Sequence, residues 1–366
     1  MFINSEIRQL GFTRSNISSI AKGREQHFDL IQSALIAYAD EIKELFSLGF
    51  VPANIASILS GAGPKGEQAI CSLTEYSGVL RQLILSSDFT PELPVKMLVK
   101  SGSKIGKNIS TLKQHTSDFQ AFIRTGNFSM SNVATIVGGS NDLAKALECF
   151  LKNGERLNRF VQDGEFSATN VSIILKGAAK NLDIALDGLL DNGEALNEFV
   201  RNSDFGIQNI SSMLAGARSE LPSSISALIS HAEQLNKFVR NSSFTAQNLS
   251  GMLAGSGASL GRALDMLIQN ECKLNEFVNQ GVFSGSNVAN MLGGAGHNIG
   301  IGIDAIMTHG DRLNNFIKGG NFSAQNISGI LGGAGGSIGH AIIMLTDKGD
   351  ALNNFVKATG FSAANV

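Results

Sequence analysis

Phe322-Ser323-Ala324-Gln325-Asn326-Ile327-Ser328-Gly329-Ile330-Leu331, followed by Gly332-Gly333-Ala334-Gly335-Gly336-Ser337-Ile338-Gly339, is one copy of a unit that recurs along the chain. Its opening phenylalanine returns at Phe12, Phe50, Phe89, Phe128, Phe166, Phe205, Phe244, Phe283 and Phe361, at spacings of 38 or 39 residues. A fixed period of this length marks an architecture of stacked repeats. With the phenylalanine as position 1, nine repeats run to completion and a tenth opens at Phe361.

The pattern inside one repeat predicts helices. Position 2 is usually Ser or Thr (Ser129, Ser167, Thr245, Ser284, Ser323), the side chains that accept from unpaired amides at a helix start. The phenylalanine before it and an apolar residue at position 6 have the spacing of a hydrophobic staple. Apolar positions 6, 9 and 10 continue one face, and glycine at position 12 (Gly177, Gly216, Gly255, Gly294, Gly333) reads as the left-handed residue that closes helix A near position 11. Helix B begins near position 16 with apolar residues at 17, 20, 21 and 24, such as Leu182, Ala185, Leu186 and Leu189. Glycine at position 28 (Gly193, Gly310, Gly349) is expected to kink or interrupt it. The remainder, with Leu352 and Phe355 as examples of its apolar positions, is either a continuation of helix B or a third helix. One repeat cannot bury its own apolar stripes, so neighbours must stack. The expected fold is all-α, a right-handed superhelical solenoid of tandem two-helix repeats, or three-helix repeats if helix B is broken.

Composition agrees with a core running the length of the chain. Of 366 residues 43% are hydrophobic and 16% charged, which argues against disorder. Cys71, Cys149 and Cys272 are far apart without a CxxC pair, so neither a disulfide framework nor a zinc site is expected and a reducing compartment fits. Met1-Phe2-Ile3-Asn4-Ser5-Glu6 carries an acid where a signal peptide is basic, and no apolar run is long enough for a bilayer. The net charge of −2 conceals an uneven distribution. From Phe89 to Gly126 six basic residues (Lys96, Lys100, Lys104, Lys107, Lys113, Arg124) face two acids, Glu92 and Asp118. From Phe128 onward 16 basic residues face 20 acidic ones. Residues 1–127 therefore read as imperfect N-terminal repeats, including a basic one at 89–127, and 128–366 as the regular array with its last member partial.

The repeats differ most at positions 15 and 16, inside the Gly-Ala-Gly-x-x-Ile-Gly loop. The pairs are Pro64-Lys65, Ser103-Lys104, Asn141-Asp142, Lys180-Asn181, Ser219-Glu220, Ala258-Ser259, His297-Asn298 and Gly336-Ser337, with one loop residue missing from the Phe128 repeat. Two variable residues on a constant frame read as one address letter per repeat, although a solvent-facing loop tip is also free to drift. Exposed asparagines that hardly change (Asn197, Asn236, Asn275, Asn314, Asn353) speak against drift, and themselves read as helix caps or inter-repeat bonds.

The order of these features resembles the transcription activator-like effector family, bacterial proteins that read DNA one base per repeat, and more particularly its divergent bacterial relatives. His297-Asn298-Ile299-Gly300 and Ala258-Ser259-Leu260-Gly261-Arg262-Ala263-Leu264 carry the likeness: variable pair, glycine, basic residue, Ala-Leu. It extends from about Phe50 to Val366 and rests on register rather than a rare motif. The repeat here is a few residues longer than the family's, Ile or Leu replaces the first glycine of its Gly-Gly pair, and glycine rather than proline interrupts helix B. The resemblance implies that position 16 reads a base, through Lys65, Lys104, Asp142, Asn181, Glu220, Ser259, Asn298 and Ser337. It further implies that position 15 braces the loop, through Pro64, Ser103, Asn141, Lys180, Ser219, Ala258, His297 and Gly336.

Physical chemistry gives the same surface a mechanism. Glycines at positions 12, 14 and 18 let backbone approach a phosphate, the amides opening helix B favour an anion, and position 19 adds Lys107, Lys145 and Arg262. Lys96 and Lys100 of the basic repeat join them as phosphate ligands. In a major groove Asp142 accepts from cytosine N4, Asn181 and Asn298 pair with a purine N7 edge, Glu220 favours cytosine or adenine, Lys65 and Lys104 favour guanine or a phosphate, and Ser259 and Ser337 are permissive. A DNA-reading array is the leading expectation, with a protein-binding solenoid and an RNA-binding repeat protein as alternatives. RNA readers favour aromatic or arginine platforms at their variable positions, and the eight pairs hold no aromatic ring apart from His297. No HExxH, GxSxG or GK[ST] motif points to an enzyme. The partner expected is double-stranded DNA, met by a monomer without cofactor, metal, membrane or small-molecule substrate. The location expected is the bacterial cytoplasm, or a host nucleus for a secreted effector acting in transcription regulation.

Overall fold

The computed structural model describes residues 3–86, 90, 92–140, 142–293 and 295–359, so the repeat-opening Phe89 and Phe361 lie outside the described residues. Among the described residues the protein is all-α, without a strand, and its helices pack against neighbours in sequence. No single helix there is long and apolar enough to cross a membrane. The chain divides into two compact units, Met1–Asp163 with Ser167–Leu186, and Gly164–Phe166 with Asp187–Val366.

The Phe244 repeat shows the plan. Helix A runs Ala246–Leu253, a one-turn 3-10 helix spans Gly257–Ser259, helix B runs Leu260–Gln269 and helix C runs Glu271–Gln280. Helix A starts as its sequence dictates. In the Phe128 repeat the Ser129 hydroxyl accepts from the Asn132 N–H at 3.3 Å, and the Asn132 Oδ1 accepts from the Ser129 N–H at 2.9 Å. This reciprocal box holds two amides that the helix cannot pair itself. Where position 2 has no hydroxyl, at Val51 and Gly206, the asparagine half remains, from Asn54 and Asn209.

The second half of most repeats is two helices, with a single residue between B and C. That residue is commonly Asn, and its amide donates back to the carbonyl four residues earlier: Asn153 to Cys149, Asn192 to Gly188, Asn270 to Met266, at 2.8–3.0 Å. Such a bond satisfies a terminal carbonyl and ends helix B. In two repeats B and C are continuous, Ile105–Thr125 and Ile299–Gly319. The helix is interrupted as expected just before Gly193 and Gly349, which open helix C, whereas Gly310 lies inside the continuous helix. Its role is close packing. A Cβ on Gly310 would come 2.8 Å from the Phe277 ring of the preceding repeat, and one on Gly349 2.7 Å from the Phe316 ring.

Within each compact unit helix A packs on the next helix A, and B on B, as Gly285–Gly293 does on Ala324–Gly332 and Ile299–Gly319 on Ile338–Asp347. The opening phenylalanines form the spine of this core; Phe128, Phe244 and Phe283 are at most 2% exposed. Phe128, Phe205, Phe244, Phe283 and Phe322 each meet the phenylalanine six residues before, with ring centroids 5.6 Å apart for Phe238–Phe244 and 5.5 Å for Phe316–Phe322. Burying such a ring contributes about 2–3 kcal/mol.

Candidate nucleic-acid interface

The variable pair occupies the one-turn 3-10 helix between A and B, at Gly63–Lys65, Gly102–Lys104, Ala179–Asn181, Arg218–Glu220, Gly257–Ser259, Gly296–Asn298 and Gly335–Ser337. Position 16 is the residue immediately before helix B. Lys65, Lys104, Glu220, Ser259, Asn298 and Ser337 all have φ between −90° and −103° with ψ between 7° and 17°. A capping side chain needs an extended backbone at this point. In the bridge conformation found here none of these six makes a side-chain cap. Serine and asparagine, good caps elsewhere, are thus held away from the helix amides. Lys65, Lys104, Asn181, Glu220 and Ser337 are exposed, while Ser259 and Asn298 are half-buried.

Asp142 departs from this pattern because the Phe128 loop is one residue short. Its φ and ψ are −135° and 84°, its carboxylate accepts from the Lys145 N–H at 3.4 Å, and among the described residues no 3-10 turn precedes it. Asp142 also faces the Lys107 ammonium at 3.8 Å. One expected base reader and one expected phosphate ligand are therefore ion partners across a repeat boundary. Lys145 is likewise paired, with Asp183 at 3.4 Å. The backbone N–H of Ile184, with Lys145 adding to it, holds the Asp183 carboxyl below the usual aspartate range.

Several of the loop glycines lie close to the preceding repeat. In successive repeats the loops lie on one another: a Cβ on Gly296 would come 2.8 Å from the Gly255 carbonyl oxygen, and one on Gly257 3.1 Å from that of Gly216. Position-18 glycines admit the previous helix B, as where a Cβ on Gly300 would meet Met266 at 2.8 Å. At these positions the neighbouring repeat fills the space, whereas a Cβ on Gly61 or Gly63 would meet nothing within 4 Å. The left-handed residue also moves. Gly177 and Gly216 at position 12 have φ of 83°, as expected, but Gly333 has φ of −81° and the positive value passes to Gly335 at position 14. Gly294 lies outside the described residues.

Two lysines and an arginine take the left-handed conformation that glycine usually takes: Lys22, Lys100 and Arg218, with φ of 60°, 60° and 55°. Lys100, an expected phosphate ligand, is exposed, and its N–H donates to the Ser57 carbonyl at 2.9 Å. Lys96 is exposed and its ammonium donates to the Ser131 hydroxyl at 3.4 Å. Arg262 is exposed. At position 15 Pro64, Ser103, Lys180, Ala258 and Gly336 are exposed and Ser219 is half-buried. A Cβ on Gly336 would come 2.5 Å from the Asn298 amide nitrogen, so consecutive loops touch through positions 15 and 16. Asn141 and the side chain of His297 lie outside the described residues.

The constant asparagines have a structural role. The Oδ1 of Asn197, Asn236, Asn275 and Asn314 accepts from the N–H of Glu165, Asp204, Ser243 and Val282, at 2.7–3.1 Å and 32 residues apart. This bond explains why they do not vary, so they are no gauge of how freely an exposed surface drifts. Nor is variation confined to the loop. Position 19, one helical turn beyond position 16, is exposed in all nine repeats and holds Leu30, Gln68, Lys107, Lys145, Ile184, Ser223, Arg262, Ile301 and His340. No protein-family model, curated protein or solved structure matches the chain at a significant level.

Proposed function

We propose that the chain binds double-stranded DNA in a sequence-directed manner, as a right-handed superhelical solenoid in which each repeat offers its position-16 side chain to the major groove. The observation that carries this reading is the regular row of loops. In the second compact unit glycine contacts set the loops at Gly257 and Gly296 against the loops before them, and the bridge conformation at position 16 frees Ser259, Asn298 and Ser337 from helix capping. One presented residue per repeat, at constant spacing, suits a ligand that is itself a regular polymer. The likeness of these loops to transcription activator-like effectors supports the same reading. Backbone affinity would come from Lys96, Lys100 and Arg262, and from Lys107 and Lys145 once a phosphate displaces their carboxylates. Those ion pairs are exposed and each is worth about 0–1 kcal/mol, so displacement costs little.

A protein-binding scaffold is the second reading, and it draws on exposed apolar side chains of helix B, Ile184 at 46% and Ile301 at 56%. Selection from random duplexes separates the two. The DNA reading expects an enriched motif whose affinity falls linearly with log salt. Recovery of no motif, with equal binding to every duplex or to none, would refute it.

A further inference from the structure

Position 19 is the variable feature that the one-residue reading leaves unused. It stands next to position 16 on the first turn of helix B, where residues three apart share a face. Side-chain contacts bear out the shared surface. The Ser223 hydroxyl donates to the Glu220 carboxylate at 3.5 Å within one repeat, and Lys107 meets Asp142 across two. The residues at 19 are also correlated with those at 16. Asn occurs at position 16 in two of the eight pairs, and both times an isoleucine follows at 19: Asn181 with Ile184, Asn298 with Ile301. These isoleucines are 46% and 56% exposed; apart from Leu30, 38% exposed in the first repeat, the other residues at position 19 are Lys, Arg, Ser, Gln and His. Large exposed apolar groups on a polar face ask for a partner that is apolar at that point.

Resting on the DNA reading, we propose that a repeat reads its site with two side chains, and that Ile184 and Ile301 lie against the C5-methyl group of a thymine beside the adenine bound by Asn181 and Asn298. The chemistry is complementary. An asparagine amide accepts from adenine N6 and donates to N7, while the thymine methyl is the one apolar group on the major-groove edge. A polar residue at 19 gives no such methyl contact, which makes the Asn-Ile repeats specific for an A·T-containing step. Position 19 is then a specificity-determining position.

The test uses the full chain and its selected duplex, with each thymine replaced in turn by deoxyuridine, which lacks only the methyl. At the base pair where Asn298→Asp changes the preference, or at its neighbour, the replacement should weaken wild-type binding roughly fourfold, the worth of one methyl group withdrawn from water. Ile301→Ser should bind the thymine and uracil duplexes equally and remain as stable as wild type, since the side chain is on the surface. A selected motif that is indifferent to every uracil overturns the two-residue proposal and leaves the DNA reading standing. An effect that persists in Ile301→Ser also overturns it. Failure to select any duplex removes both.

Discussion

The Asn197 Oδ1 sits 2.7 Å from the Glu165 N–H, joining helix C of one repeat to the end of the repeat before it. The same bond recurs at 32-residue separations down the second compact unit. Asn197 is 8% exposed, so alanine there leaves the Glu165 amide without its partner. We expect Asn197→Ala to cost about 1–3 kcal/mol, read as a lower urea midpoint. An unchanged midpoint would mean that solvent replaces the bond at no cost.

Gly310→Ala distinguishes propensity from packing by sign. In the continuous helix Ile299–Gly319, alanine should stabilise by about 1 kcal/mol on helix propensity alone. The Phe277 ring 2.8 Å from the new Cβ opposes this, and overpacking costs about 1–3 kcal/mol. The net expectation is destabilisation. A higher melting temperature would show that the Phe277 ring moves aside freely.

Arg218→Gly should separate stability from binding. The left-handed backbone at Arg218 costs roughly 1–2 kcal/mol for a residue with a Cβ, so glycine should raise stability by about 1 kcal/mol. If Arg218 earns its place by contacting a phosphate, the same variant binds duplex DNA more weakly and flattens the log K against log salt slope by about one unit. Greater stability with unaltered binding would remove Arg218 from the interface.

Lys100, Lys104 and Lys107 of the basic repeat are expected to contribute sequence-independent affinity. Their joint replacement by alanine should weaken binding to all duplexes and reduce the salt slope by up to about three. Asp142 stands at position 16 and also pairs with Lys107 in the free protein, so Asp142→Asn should weaken the cytosine preference at its own base pair while strengthening backbone binding to every duplex. Unchanged discrimination at every base pair would remove Asp142 from the readers.

Asn298→Asp tests the reading position directly. A carboxylate only accepts, so a purine preference at one base pair should become a cytosine preference, with discrimination of roughly 1–3 kcal/mol. Four duplexes differing at that pair suffice, and equal losses on all four would exclude a one-residue contact.

The period, the serine caps and the apolar positions were legible in the sequence because each depends on neighbours within a few residues. Helix A and the start of helix B follow from them almost to the residue, while the 3-10 turn between them was read only as a loop. What the sequence concealed was inter-repeat. A recurring Gly310 looks like a helix breaker until Phe277 is placed against it, and Asn197 looks like a surface residue until Glu165 arrives from 32 positions earlier. B is split from C at Asn270, whose amide bonds back to Met266, but equally at Tyr38, Tyr76 and Lys348, so local pattern does not decide the split. At the candidate site the variable loop was visible, but the pairing of Lys107 with Asp142 and the exposure of Ile301 required the fold.

The asparagine bond also bears on how such a chain can change over generations. Every regular repeat carries both halves of the joint, an amide acceptor in helix C and an amide donor at its end. Recombination that inserts or removes one whole period therefore brings like halves together and leaves no orphaned group, whereas an exchange out of phase breaks a joint at once. Array length can evolve in steps of one repeat, and selection acts on the number of letters read while the mortar between them stays the same.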